Sequence, residues 1–220
     1  MIVKTSDGLN ISAVSYGVQE PKGWIVYIHM MPATKESWRS LALKLQSLGY
    51  AGIAIDLRGH GESTGGPDGY KQFSEEENQN CILDVTAAVD FLESAGAAKD
   101  RIHFVGASIG ANLSLKYITE NEACKSAVLL SPGINYYGLR SDLSVKKLMP
   151  GQRVLFVSSR DDARQNPGNV EQNEELFNLV PEGVQKELII YEHAGHGTTM
   201  LESTEKPDLM ETITRFIQNG

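Results

Sequence analysis

Gly106-Ala107-Ser108-Ile109-Gly110 lies between an apolar run, Arg101-Ile102-His103-Phe104-Val105, and a run of helical character, Ala111-Asn112-Leu113-Ser114-Leu115-Lys116-Tyr117-Ile118. A Gly-x-Ser-x-Gly pentapeptide at a strand-to-helix junction reads as a nucleophile elbow. So tight a turn forces the serine into a strained backbone conformation, and glycines two residues to either side avoid a collision. The serine hydroxyl is lifted clear of the sheet, and the helix that follows directs its free N–H groups at the reacting centre. The pentapeptide alone is weak evidence. Its strand-turn-helix context gives it weight.

The same alternation extends in both directions. Ile2 to Thr5 and Leu9 to Tyr16 flank Asp7-Gly8, a hairpin signal. Trp24 to His29 is apolar nearly throughout, as a central strand should be. Lys35 to Leu48 predicts a helix with Trp38, Leu41, Ala42, Leu45 and Leu48 on one face, closed by Gly49. Ala51 to Asp56 is the next strand, and one long helix is expected from about Ser74 to Glu93. Beyond the elbow come strands at Ser126–Ser131, Arg153–Ser158 and Lys186–Tyr191, with helices near Asn169–Val180 and Asp208–Gln218. Strands alternating with helices predict a mostly parallel α/β sheet of about eight strands, covered on both faces, with an antiparallel N-terminal edge. No repeat, linker or low-complexity tract interrupts residues 1–220, so one domain is expected.

The chain of 220 residues carries a formal charge of −8, which argues against nucleic acid and anionic membrane surfaces as partners. Cys81 and Cys124 show no metal-ligand spacing, fall in apolar helical patterns and read as buried free thiols. No signal-peptide core or membrane-spanning run stands out, so a cytoplasmic protein, monomer or homodimer, is expected. No nucleotide or metal pattern stands out either, so no cofactor and no metal are expected.

In sheets of this kind the active site lies past the carboxyl ends of the strands. His29-Met30-Met31, Asp56, Ser108, Asp161-Asp162 and the loop from His193 to His196 all fall there. A serine hydroxyl needs a base to take its proton and donors to hold the oxyanion. Of five histidines, His103 alternates within a strand and His60 lies in a tight turn. His196 is preferred to His193 as the base, because Gly195 and Gly197 let its ring approach the serine. The orienting carboxylate should follow a strand between serine and histidine, where Asp162 is preferred to Asp161. One oxyanion donor is the backbone N–H of Ile109. The other is expected from the turn after His29, where Met30, Met31 and Pro32 follow and Pro32 has no N–H.

These stretches, together with Asp56-Leu57-Arg58-Gly59-His60-Gly61-Glu62-Ser63, resemble the α/β-hydrolase superfamily over almost the whole chain. Within it they are similar to the small carboxylesterase and dienelactone-hydrolase-like group. The resemblance implies an α/β-hydrolase fold and a Ser108–His196–Asp162 triad. The family usually has glycine where Met30 stands, and its pattern carries the second oxyanion donor onto Met31. Dienelactone hydrolases proper use a cysteine nucleophile, so Ser108 favours ordinary esters.

About 20 residues, Pro132 to Gly151, separate two strands where the family often inserts a lid. That is too short for a lid domain and leaves either a partial flap or a surface loop. Met30, Tyr136 and Tyr137 are the candidate pocket residues. The expected activity is hydrolysis of small-molecule esters with short to medium acyl chains. Acyl thioester hydrolysis on the same residues is the alternative, and a silent binding protein on the same fold is a third reading.

Overall fold

The computed structural model describes residues 1–162 and 168–219. The chain runs through β1 (Ile2–Lys4), β2 (Asn10–Tyr16), β3 (Trp24–Ile28), α1 (Arg39–Ser47) and β4 (Ala51–Ile55). Next come α2 (Glu75–Gln79), α3 (Ile82–Ser94), β5 (Ile102–Ala107), α4 (Ile109–Glu120) and β6 (Ser126–Leu130). It continues with β7 (Asn135–Tyr136), β8 (Leu139–Arg140), α5 (Ser141–Ser144) and β9 (Arg153–Ser159). It closes with α6 (Asn169–Leu179), β10 (Gln185–Tyr191) and α7 (Leu209–Gln218).

Eight strands form one sheet in the order β1-β2-β4-β3-β5-β6-β9-β10. β1 pairs with β2, and β2 with β4, antiparallel; every other pairing is parallel. This is the mostly parallel sheet with an antiparallel N-terminal edge expected from the alternation of strands and helices, and the α/β-hydrolase fold that the resemblance implied. The inner parallel strands β4, β5, β6 and β9 are buried along their whole length because both faces are covered, while the edge strand β10 is partly exposed. Ile28, Ile55, Phe104, Leu129 and Phe156 face one core, shared with α3, α4 and α6. Tyr27, Ala54, Val105, Val128 and Leu155 point the other way, into a core with α1 and α7. Successive residues of a strand thus serve opposite layers, as a two-residue period requires.

Two expected helices differ in outline. Lys35–Trp38 is a 3-10 turn, and the α-helix begins only at Arg39. The single helix expected from Ser74 to Glu93 is two, α2 and α3, parted at Asn80 and Cys81. Ser74 and Glu77 form a capping box that starts α2, whose first turn is all acid. The apolar face that anchors a helix to the sheet begins only at Cys81, so α2 lacks the packing that would hold it in line with α3. Cys81 and Cys124 are buried free thiols, and burial pushes Cys124 up to about 11.

His29 and His103 are buried, and burial is the main reason that each is pushed down to about 4. Unfolding restores an ordinary pKa of about 6.5. As pH falls below that value the unfolded chain takes up protons first. The stability from keeping these rings neutral is therefore complete above about pH 6.5 and lost as pH falls towards 4. A depression of this size corresponds to about 3 kcal/mol for each ring. Urea unfolding should show stability falling between pH 7 and pH 4.5, and His103→Gln should flatten part of that decline. A flat profile in the wild-type protein would contradict it.

Candidate active site

A cleft of about 320 Å³ opens at the carboxyl ends of the parallel strands, lined by Met31, Ser108, Ile109, Asn135, Tyr136, Tyr137 and His196. Its floor is the junction of β5 and α4. Ser108 has φ 54° and ψ −120°, a conformation that a side chain rarely adopts. Its N–H donates to the Leu130 carbonyl at 2.8 Å, so the ladder with β6 holds the strained residue in place. A Cβ at Gly106 would sit 2.1 Å from the Gly110 carbonyl oxygen, and one at Gly110 would sit 2.2 Å from that of Ile28. Both glycines are thus required by close backbone approach. The Ala111 and Asn112 N–H groups donate to the Ser108 carbonyl at 2.9 and 3.2 Å, and Ile109, the first residue of α4, lines the cleft.

The second wall follows β3. His29 Nε2 accepts the Leu57 N–H at 2.9 Å, so Nδ1 carries the proton and donates to the Met30 carbonyl at 2.8 Å. The Ala33 N–H reaches the same carbonyl at 2.8 Å. Further on, Asp56 accepts from the Lys35 N–H and from Lys35 Nζ, each at 2.7 Å, and from the Glu62 N–H at 3.1 Å. These bonds hold the Asp56 carboxyl below its ordinary pKa against the opposing effect of burial. They fix both ends of the turn that carries Met31. Neither the Met31 nor the Ile109 N–H is engaged by another described residue.

Met30 does not line the cleft, contrary to expectation. It packs with the α1 and α7 core, and a Cβ at Gly197 would lie 2.6 Å from its Sδ. The two methionines point to opposite sides of the turn, and Met31 takes the cleft side.

His196 Nδ1 and Asp162 Oδ2 are 2.5 Å apart, with both side chains buried. Asp161 does different work. Its Oδ1 accepts from Ser159 Oγ at 2.5 Å and from the Gly195 N–H at 3.0 Å, while Ser159 Oγ accepts the Ala194 N–H at 2.8 Å. On the far side of the histidine, the Gly197 N–H donates to Ser131 Oγ at 3.0 Å and the His196 N–H to Thr199 Oγ1 at 2.9 Å. The loop is therefore tied to the ends of β6 and β9. Ser131, Ser159 and Thr199 carry no pattern by which the sequence could single them out. His193 lies outside the cleft lining, with its N–H donating to Glu205 at 2.6 Å. His60 is stacked on Tyr70 and bonded to the Arg58 carbonyl at 3.0 Å.

The segment after β6 folds over the cleft as a small hairpin. Tyr137 at φ 51° and Gly138 at φ 82° form its turn, and the Gly138 N–H donates to Asn135 Oδ1 at 2.8 Å. Buried Asn112 of α4 bonds the Gly133 and Leu139 carbonyls, and Gln172 of α6 accepts the Ile134 N–H. It is a partial flap, pinned from beneath, and its Asn135 is a cleft residue that sequence reasoning missed. Among the described residues no group of His, Cys, Asp or Glu is arranged to hold a metal ion. No helix among them is long and apolar enough to cross a membrane.

The sequence profile of the α/β hydrolase fold matches residues 23–173. The chain belongs to the α/β-hydrolase fold family. Its relatives include a non-heme chloroperoxidase of Kitasatospora aureofaciens, 35% identical over 82 residues, which are 37% of this chain and 29% of that protein. A bifunctional esterase/perhydrolase of Acinetobacter calcoaceticus is 30% identical over 131 residues, 59% of this chain and 43% of that one. The chain thus matches less than half the length of these curated relatives. An esterase of Pyrococcus furiosus has the same fold, with a TM-score of 0.78 at 18% identity, over 100% of this α/β hydrolase and 89% of that chain.

Proposed function

We propose that this α/β hydrolase cleaves carboxylic esters of short to medium acyl chains through an acyl-enzyme. The observation that carries the reading is the meeting of Ser108, His196, Met31 and Ile109 in one cleft, with Asp162 bonded to the far side of the histidine ring. Asp162 holds the Nδ1 proton and leaves Nε2 to act as base. Ser108 Oγ attacks the ester carbonyl as its proton passes to His196. The oxyanion is held by the N–H groups of Met31 and Ile109. Collapse expels the alcohol, which takes the proton from His196. A water activated by the same ring then releases the acid and frees Ser108. The similarity to an esterase/perhydrolase supports ester chemistry.

The flap argues for small acyl groups. Bonds from Asn112 and Gln172 tie its base to α4 and α6, which favours a short acyl site over a long groove. Each added methylene should raise kcat/KM by about fourfold while the wall extends, from about 0.8 kcal/mol of burial. A series of p-nitrophenyl esters should therefore peak between acetate and hexanoate, with no jump in rate above a substrate's solubility limit. A preference for dodecanoyl esters would overturn the small-ester reading. Acyl-CoA substrates tested beside the series separate ester from thioester hydrolysis.

A further inference from the structure

A second cavity, of about 340 Å³, opens at the opposite end of the sheet, where β5, β6, β9 and β10 begin. Arg153 and Gln185 occupy paired positions at the starts of β9 and β10, and both line it together with Lys125, His103 and Asn219. Asp100 also lines it, as an exposed residue.

Arg153 is the unusual group. It is only 7% exposed, yet among the described residues no carboxylate lies within 4 Å of it. Glu187, further along β10, is instead paired with Arg215 at 3.3 Å. The Arg153 guanidinium lies 4.4 Å from the centre of the Phe216 ring and makes one long hydrogen bond, 3.4 Å, to the Ile217 carbonyl. A guanidinium has five N–H donors in a planar fork suited to two oxygens of one anion. Ring stacking and one long bond leave most of them unused. No Arg153 nitrogen is a shielded unpaired atom, so the remaining donors are open to the cavity and to an anion entering it. Burial lowers the Arg153 pKa and outweighs the raising effect of the Glu187 carboxylate.

The groups around it suit the same occupant. Lys125 brings a second positive charge to the cavity, with its Nζ donating one bond to the Glu122 carbonyl at 2.9 Å. His103 Nδ1 is bonded to Ser126 Oγ at 2.6 Å, and no described residue bonds its Nε2. Gln185 and Asn219 add neutral amide donors. In a chain of charge −8, two cations beside the one carboxylate of Asp100 give this cavity a net positive lining.

We propose that this cavity binds the oxyanion head, phosphate or carboxylate, of a small metabolite, with Arg153 as its bidentate partner and Lys125 beside it. The site lies across the sheet from Ser108 and does not depend on the hydrolytic reading.

Isothermal titration of the whole protein with inorganic phosphate, and separately with succinate, tests it at an ionic strength fixed by sodium chloride. Saturable binding of either anion at one per chain is expected, and the better of the two identifies the head group. Arg153→Met should weaken it by at least about tenfold, the loss expected of a charge-assisted hydrogen-bond pair. Lys125→Gln, an exposed change that leaves the fold alone, should weaken it by about threefold. Blocking Ser108 with a fluorophosphonate should leave binding unchanged, which separates this cavity from the cleft. Two results would overturn the proposal: no binding of either anion beyond the chloride control, or wild-type affinity in Lys125→Gln.

Discussion

Ser108→Ala is expected to lower ester turnover by about 10⁴- to 10⁶-fold, the usual cost of removing a member of a serine triad. Folding should be unaffected. The strained φ of 54° is imposed by the tight turn between β5 and α4 and by the bond from its N–H to the Leu130 carbonyl, none of which involves the hydroxyl. Alanine meets the same backbone strain as serine, so the melting temperature should match that of the wild-type protein. The hydrolysis that remains should come from the donors of Met31 and Ile109 acting on bound ester. A fluorophosphonate probe should label the wild-type chain at Ser108 and leave the variant unlabelled. Labelling of another serine would move the proposed nucleophile elsewhere.

Asp162→Asn is expected to cost about 10⁴-fold in kcat, because an amide in place of the carboxylate favours the wrong tautomer of His196. Its neighbour offers a sharp control. Asp161 is one residue away and is also an aspartate, but its carboxylate is spent on Ser159 Oγ and the Gly195 N–H. Removing that charge should loosen the loop that carries His196 without changing the ring's tautomer. A displaced base of this kind costs at most about 10²-fold. The two substitutions change formal charge equally, so the difference between them reads position alone. Comparable losses, or the larger loss at Asp161, would reassign the acid.

The fold was legible because its signals are local and repeated. Gly106-Ala107-Ser108-Ile109-Gly110 needs both glycines for reasons that the elbow itself supplies, and the structure gives the contacts at Gly110 and Ile28 that enforce them. Apolar strands covered on both faces and amphipathic helices between them leave little choice but a mostly parallel sheet. The split between α2 and α3 was less visible. The run from Glu75 to Asn80 is compatible with helix by propensity, and only the start of packing at Cys81 marks where the sheet takes hold.

The order of the elements, the strained serine, and the loop ends that could bring a base and an acid to it are legible from chain order and residue type. What each of two adjacent side chains touches is visible only in the folded chain. Asp162 is the sequence's preference over Asp161, and the way each side chain points after β9 sends Asp161 to the Gly195 backbone and Asp162 to His196. Met30 was the expected pocket residue, and the turn after β3 instead places it against Gly197 and puts Met31 in the cleft. The flap was a run of 20 residues with two tyrosines until Asn112 and Gln172, from two distant helices, bonded its backbone. Such choices depend on side-chain direction and on partners far apart in the chain, and neither leaves a period or a spacing to be read.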